Sequence, residues 1–275
     1  MRGLFWNCRG IKKGVFSFLK DLILEHKFHF IGLQETMIEN VDDKILKNID
    51  PNGIYLWKWI SSRGKSGGIL SGVNNDVLEV GSFIEGKYML QMTLWDKSKK
   101  IKWNFINVYG SAQEENKREF LTKLADFCSK NKLPFIVGGD VNIIRFTSDK
   151  NKPSSLSKHS HLFNNIISIY ELIDIHMVGG RFTWPNNLDV PTLERLDRIL
   201  MSKGWDDSFP NVFALKLSRE HSDHNPLILS THKTVHHRKI SFRFELSWLK
   251  DPDFVRCVKN IWDKPCHAKS ALDRI

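Results

Sequence analysis

The run Ser222-Asp223-His224-Asn225-Pro226 sets a hydroxyl, a carboxylate and an imidazole side by side. Pro226 abuts an apolar stretch, Leu227 to Leu229, so the run reads as a loop delivering charged groups to a buried strand. Imidazole is the common side chain that titrates near neutrality, and a neighbouring acid can fix its tautomer. Asp197, in Arg195-Leu196-Asp197-Arg198, is a second acid available for that task. Gly138-Gly139-Asp140-Val141-Asn142 places a carboxylate and an amide two residues apart after an apolar strand. On extended backbone the two share one face, and a carboxylate beside an amide suits deprotonation of water next to a held anion. Taken alone the pair fits an Asx-type turn equally well.

Two more islands have the same design. Trp6-Asn7-Cys8-Arg9-Gly10 and Leu33-Gln34-Glu35-Thr36 each end an apolar stretch in polar groups. A lone carboxylate such as Glu35 is usually only solvated, yet a Mg²⁺ site needs just one or two carboxylates with waters and substrate phosphate. Tyr109 closes the run Asn104-Phe105-Ile106-Asn107-Val108, and Thr183-Trp184 ends another. Tyr109 could be a core aromatic, and Thr183 and Trp184 ordinary strand residues. The shared context, polar residues at strand ends, points to one site assembled from several strands.

The elements that must position these residues are legible from periodicity. Val15, Phe18, Leu19, Leu22 and Ile23 mark a helix over Gly14 to Lys27. Phe120, Leu121, Leu124, Phe127 and Cys128 mark another over Asn116 to Lys130, and Ser157 to Glu171 is a third. Strands are expected at 3–8, 28–33, 54–60, 69–73, around 88–94, and at 101–109, 134–137, 181–184, 196–201, 212–217 and 227–230, with a turn at 63–68. Many strands with few helices predict two sheets packed face to face with helices outside. A boundary falls near residue 231, giving a domain 1–231 and a basic extension 232–275.

The chain has 275 residues, is 41% apolar and carries a net charge of +10. That balance favours an anionic partner such as nucleic acid. Residues 232–275 hold ten Lys/Arg against five Asp/Glu, half of the excess, and read either as a solvated tail or as a nucleic-acid-holding arm. No run of about 18 uncharged apolar residues exists, which argues against a membrane span. Cys8, Cys128, Cys257 and Cys266 show no CxxC spacing; two lie in apolar segments and read as reduced core thiols.

The series WNCRG, LQET, NVYG, GGDVN, RFTW, RLDR, SDHNP resembles the endonuclease/exonuclease/phosphatase superfamily. Within it, RFTW, ERLDRIL and FRFELSWLKDPDF resemble the endonuclease domain of plant LINE-type (non-LTR) retrotransposons, and the likeness covers about residues 1 to 262. It implies an α/β four-layered sandwich, two packed mixed β-sheets flanked by helices as in deoxyribonuclease I, and phosphodiester hydrolysis with Mg²⁺ or Mn²⁺. Glu35 would ligate the metal, Asn7 would arrange it and Asp223 would lie beside it. Asp140 would orient or deprotonate water, and Asn142 and Tyr109 would contact the scissile phosphate. His224, steadied by Asp197, would neutralise or protonate developing charge, with Ser222 and Thr183 in support. Arg9, Arg198 and the hairpin residues Asn186 and Asn187 would contact DNA, the hairpin in its minor groove. Arg9 stands where abasic-site enzymes have an acid, which removes one metal ligand and favours the retroelement branch.

The resemblance implies a nick whose 3′-hydroxyl primes reverse transcription, with double-stranded DNA as partner and element RNA reached through a reverse transcriptase missing from this chain. A truncated or split copy is expected, in the nucleus rather than the cytoplasm, with no membrane partner. Two alternatives stand beside it. One is a phosphoesterase on another substrate, such as phosphoinositides or sphingomyelin. The other is a non-catalytic relic that binds nucleic acid, against which every motif residue is intact.

Overall fold

The computed structural model describes residues 1–62, 67–231 and 252–262. The sequence-predicted turn at 63–68 therefore lies largely outside the described residues, as does most of the basic extension. Met1–Lys233 forms one compact unit and Thr234–Ile275 another. In the second, a helix spans Pro252–Trp262.

The first unit opens with β1 (Arg2–Asn7), α1 (Lys13–His26) and β2 (Phe30–Gln34). There follow α2 (Asp43–Ile49), β3 (Tyr55–Ile60), β4 (Ile69–Asn74), β5 (Leu78–Glu85), β6 (Met89–Asp96) and β7 (Ile101–Tyr109). Then come α3 (Glu114–Lys130), β8 (Phe135–Asp140), α4 (Lys158–Ile169), β9 (Ile173–Asp174) and β10 (Met177–Val178). A hairpin of β11 (Trp184–Pro185) and β12 (Leu193–Glu194) precedes β13 (Asp197–Met201), α5 (Lys203–Ser208), β14 (Phe213–Lys216) and β15 (Leu227–Ser230). The helix Pro252–Trp262 is α6.

The strands form a seven-stranded sheet in the order β10-β14-β15-β1-β2-β4-β3 and a six-stranded sheet in the order β5-β6-β7-β8-β13-β9. Each contains one βαβ unit: β1 runs parallel to β2 across α1, and β7 parallel to β8 across α3. Three apolar clusters separate four layers. Phe5, Phe30, Phe105 and Trp103 pack edge to face between the sheets. Leu19 and Leu22 of α1 cover the outer face of the first sheet, and Phe120 and Leu124 of α3 that of the second. The central cluster is the least replaceable layer, since Phe5→Ala would cost about 3–5 kcal/mol. The expected four-layered sandwich of two mixed sheets is what forms.

The close approach of the sheets explains Gly138. A Cβ there would sit 2.4 Å from the Phe5 ring of the opposite sheet. Gly139 has φ +135, and a Cβ there would meet the Val108 carbonyl at 2.2 Å. Two glycines thus let β8 run through the tightest part of the sandwich directly before Asp140.

The strand boundaries matter more than the layers. Asn7, Gln34, Tyr109 and Asp140 are the last residues of the parallel strands β1, β2, β7 and β8. Tyr109 is paired across from Asp140, and Asp197, the first residue of antiparallel β13, is also paired with Asp140. His224 leads into β15, which runs antiparallel to β1. Carboxyl ends of parallel strands and amino ends of their antiparallel neighbours therefore open on one rim. This is where open α/β sheets bind ligands.

Candidate active site

Asp140 is 1% exposed, and three N–H donors hold it. The Asn142 backbone N–H donates to Oδ1 at 2.9 Å, while the side-chain amides of Asn7 and Asn142 donate to Oδ2 at 2.8 and 3.0 Å. Asn7 Nδ2 also reaches Glu35 Oε2 at 3.2 Å, so one amide ties two carboxylates from opposite sheets. Tyr109 is hydrogen-bonded to Glu35, and burial, followed by the charges of Glu35 and Asp140, pushes its hydroxyl pKa far up. It stays a neutral donor. Arg9, Glu35 and Asn142 all adopt left-handed φ, at 48°, 50° and 56°. Such strain in non-glycine residues costs roughly 1–3 kcal/mol each and collects at functional sites.

Opposite this pair stands His224. Its Nδ1 lies 2.8 Å from Asp197 Oδ2, and its Nε2 points at Asp140 Oδ2 from 3.8 Å, too far for a hydrogen bond. With Asp197 accepting from Nδ1, the Nε2–H of the charged ring is left for another acceptor. Burial disfavours the charged ring, but Asp197 and Asp140 together overcome it and raise the His224 pKa to about 9. Burial raises Asp140 to about 7, with Asp197 adding to it and His224 opposing.

Several residues hold Asp197 and His224 in place. Thr183 Oγ1 accepts from the N–H groups of Leu196 and Asp197 at 3.1 and 3.0 Å, fixing the start of β13. Ser222 Oγ donates to the Asn7 carbonyl at 2.7 Å and accepts from the His224 N–H at 3.1 Å. The Trp6 indole donates to the His224 carbonyl at 3.2 Å. Behind the rim, Gln34 Nε2 donates to Asn107 Oδ1 at 2.6 Å, and Asn107 Nδ2 donates to Ser71 Oγ at 3.0 Å. Trp6, Gln34 and Asn107 were absent from the sequence-derived set. Their only sequence signal was polarity inside otherwise apolar strands.

The chain matches the Endonuclease/Exonuclease/phosphatase family over residues 4–224. It belongs to that family. Solved structures share the fold at low identity. The endonuclease domain of TRAS1, a telomere-specific non-LTR retrotransposon, aligns with TM-score 0.64 at 14% identity, over 83% of this chain and 97% of that one. The Neisseria meningitidis 3′-5′ exonuclease NExo aligns at 0.67 and 18%, over 84% and 99%. The Leishmania major AP endonuclease LMAP aligns at 0.61 and 18%, over 83% and 86%. No curated protein sequence matches the chain.

A family phosphoester hydrolase needs a cation at this rim, and the donor set fits one. Glu35 is half-buried, and it converges with Asp140 on a single neutral amide. Two carboxylates tied through one shared uncharged amide, with oxygen ligands only, suit a hard divalent ion. Asp140, Asp197 and His224 also offer ligand atoms within 4.8 Å of one another. That trio is better described as a hydrogen-bonded Asp197–His224 pair facing Asp140, because Asp197 already takes His224 Nδ1.

Two sequence-derived assignments change. Arg198, expected on DNA, is 1% exposed on the far side of β13 from Asp197. Its guanidinium binds Asp174 at 2.7 Å and also Asp149, so it is architectural. Successive strand residues face opposite ways, and only Asp197 turns toward the rim. Asp223, grouped with the metal ligands, has its Oδ2 paired with Arg9 and bonded by the Trp184 indole at 3.0 Å. Arg9 is thus both exposed and engaged. Asn186 lies at the base of the hairpin loop, where its Oδ1 accepts from the Thr192 N–H at 2.9 Å and shapes the turn. Asn187 is exposed, as are Leu188 and Val190 beyond it.

Proposed function

We propose that the chain is a divalent-metal-dependent DNA endonuclease of the non-LTR retrotransposon type, nicking one strand to leave a 3′-hydroxyl. The observation that carries this is the pairing of Asp140, tied to Glu35 by Asn7, with a His224 whose Nε2–H is left unbonded and pointed at it. A phosphate and its attacking water seated on the rim over this pair would meet a charged donor at His224 Nε2 and a base at Asp140.

The steps follow from that geometry. Water attacks phosphorus and gives its proton to Asp140. The P–O3′ bond breaks, O3′ takes a proton from a solvent water, and the products are a 3′-hydroxyl and a 5′-phosphate. His224, charged at neutral pH, donates Nε2–H to a non-bridging oxygen as negative charge accumulates, with Asp197 holding the ring. Tyr109 and Asn142 are placed to orient the same phosphate. Bound at Glu35 and Asn7, Mg²⁺ or Mn²⁺ would polarise the phosphoryl oxygens. A cation there would also draw the Asp140 pKa back down and free it as a base.

The hairpin supports a duplex substrate. Lys150 pairs with Glu194 at 2.7 Å, and Asn151 Nδ2 and Lys152 Nζ bond the carbonyls of Pro191 and Val190. A braced loop thereby presents Leu188, 65% exposed, and Val190, 72% exposed, at its tip. Apolar side chains on such a projection are what minor-groove binders insert between base steps. A nuclear site of action follows from a chromosomal substrate, and element RNA would be met only with a reverse transcriptase in the same assembly. No helix among the described residues is long and apolar enough to cross a membrane.

The test is nicking of supercoiled plasmid with Mg²⁺, with EDTA, and by Asp140→Ala and His224→Ala. Metal-dependent nicking lost in both variants is expected. Absence of nicking by folded wild-type protein would overturn the reading and direct attention to phospholipid and abasic-DNA substrates.

A further inference from the structure

A cavity of about 900 Å³ adjoins the rim, sharing Ser222, Asp223 and Arg9 with it and taking Asn187 from the hairpin loop into its wall. Arg9, Lys12, Lys216 and Arg219 line it, and Asp223 is the one acid in its wall. That acid is already paired with Arg9. Lys12, Lys216 and Arg219 have no carboxylate partner among the described residues, so the cavity carries about three uncompensated positive charges.

The charges are held there at a cost. Lys216, at the end of β14, is half-buried, with Nζ on the Phe182 carbonyl at 3.0 Å. Burial and then the neighbouring Arg219 lower its pKa. Arg219 itself bonds only the Asp223 carbonyl, at 3.5 Å. Lys12 is the N-cap of α1, a helix with no side-chain cap and no acid in its first turn. N-caps favour Ser, Thr, Asp or Asn, and a helix N-terminus favours negative charge. Three cations from the end of β14, the loop after it and the start of α1, with no carboxylate partner among the described residues, describe a site for an anion that arrives with the substrate.

We propose that this cavity is a subsite for a second backbone phosphate of the cleaved DNA, an internal phosphodiester a few nucleotides from the one hydrolysed. The proposal rests on the nuclease reading. Arg9 links the two positions, since it lines the cavity and is paired with Asp223 next to His224. The subsite adds affinity and fixes the register of the strand, and it leaves the chemistry to Asp140 and His224.

The experiment uses the full chain and its Lys12→Gln/Lys216→Gln/Arg219→Gln variant, with Lys20→Gln/Lys44→Gln/Lys47→Gln as a control of equal charge. Duplex oligonucleotides carrying one uncharged methylphosphonate at successive positions are bound with Ca²⁺ present, then nicked with Mg²⁺. We expect the cavity variant to lose roughly tenfold or more in affinity and to lower the salt slope by about 2–3. Its kcat at saturating DNA should stay within about twofold of wild type. One methylphosphonate position near the nick should weaken wild type and leave the variant unaffected. An unchanged Kd and salt slope, or an equal loss in the control variant, would overturn the subsite. The binding arm stands without catalysis: absent nicking with intact cavity-dependent binding would instead sink the nuclease reading.

Discussion

Adjacent residues of β13 carry buried charges to opposite faces of one sheet, and their surroundings differ in kind. Arg198 turns to a cluster in which each acid is matched with at least one arginine. Asp174 accepts from Arg145, Arg195 and Arg198 at 2.7, 2.9 and 2.7 Å, and Asp149 accepts from Arg198 and from two backbone N–H groups. Asp197 turns to a cluster that is not matched. There Asp140 and Asp197 share one imidazole, and Glu35 adds a third carboxylate through Asn7. Both clusters are buried and hydrogen-bonded. The matched one closes its charges on themselves; the unmatched one keeps an excess of carboxylate, which under the proposed function a cation and a phosphate would complete.

Exchanging the carboxylate for its amide separates the two most strongly. Asp140→Asn should cut nicking by about 10³-fold or more, the scale of lost base and transition-state contacts. Melting temperature should hold or rise, because a buried charge beside Asp197 is gone. Arg198→Met should do the reverse, destabilising by about 3–5 kcal/mol by leaving the buried Asp149 without its arginine and Asp174 with two of its three. Its folded fraction should nick at near wild-type kcat. Denaturant melts paired with single-turnover rates read both effects, and a large kcat defect in folded Arg198→Met would erase the distinction.

Asp197→Asn comes next, at roughly 10²-fold in kcat with KM little changed, because it acts through the His224 tautomer. The charge balance also predicts how stability varies with pH in EDTA. The folded His224 pKa of about 9 exceeds its ordinary 6.5, so its stabilisation is complete below about 6.5 and disappears as pH rises through 9. Asp140 has the same sign lower down: its pKa is raised from 3.8 to about 7, so stability is again lost as pH rises through that span. His224→Asn should therefore lower stability by on the order of 3 kcal/mol at pH 6 and by almost nothing above pH 9.5. A gap between variant and wild type that does not narrow with pH would show that the ring is held by packing.

The same contrast explains what the sequence disclosed. Strand ends bearing Asn7, Glu35, Tyr109, Asp140 and His224 were legible because each adjoins an apolar run that reads as a buried strand. Arg198 was misassigned because RLDR was read as one polar island, although strand alternation puts Asp197 and Arg198 on opposite faces. Its neighbours Ile199 to Met201 are all buried, so both faces of β13 are covered and a charge on either must be paired. The helix α2 was missed despite its N-cap, Asp42 Oδ1 accepting from Ile45 at 2.8 Å, because its seven residues span too few turns to show a period. The edge strand β5 was missed for another reason: it is mostly exposed and bulged between Val80 and Ser82, so it shows no alternation. Lys12, Lys216 and Arg219 are ordinary basic residues in sequence, and only the fold brings them together.

Arg9 gives the smallest effect and the sharpest comparison, because it imports into the unmatched cluster the device that closes the matched one. Its guanidinium satisfies Asp223 Oδ2 as Arg198 satisfies Asp149, while Asp223 Oδ1 stays buried with no hydrogen-bond partner. A fixed cation at that carboxylate leaves Glu35 and Asn7 as the place for one divalent ion. Arg9→Ala should therefore free Asp223 and raise the number of Mn²⁺ ions bound, counted by electron paramagnetic resonance, from one to two. Arg9→Lys should restore one. The Ala variant should raise KM for DNA by about tenfold through loss of a phosphate contact, and it should leave kcat within a few-fold. Two ions already bound by wild type would mean that Asp223 accepts metal in spite of Arg9. The resemblance between the two arginine pairs would then be one of geometry alone.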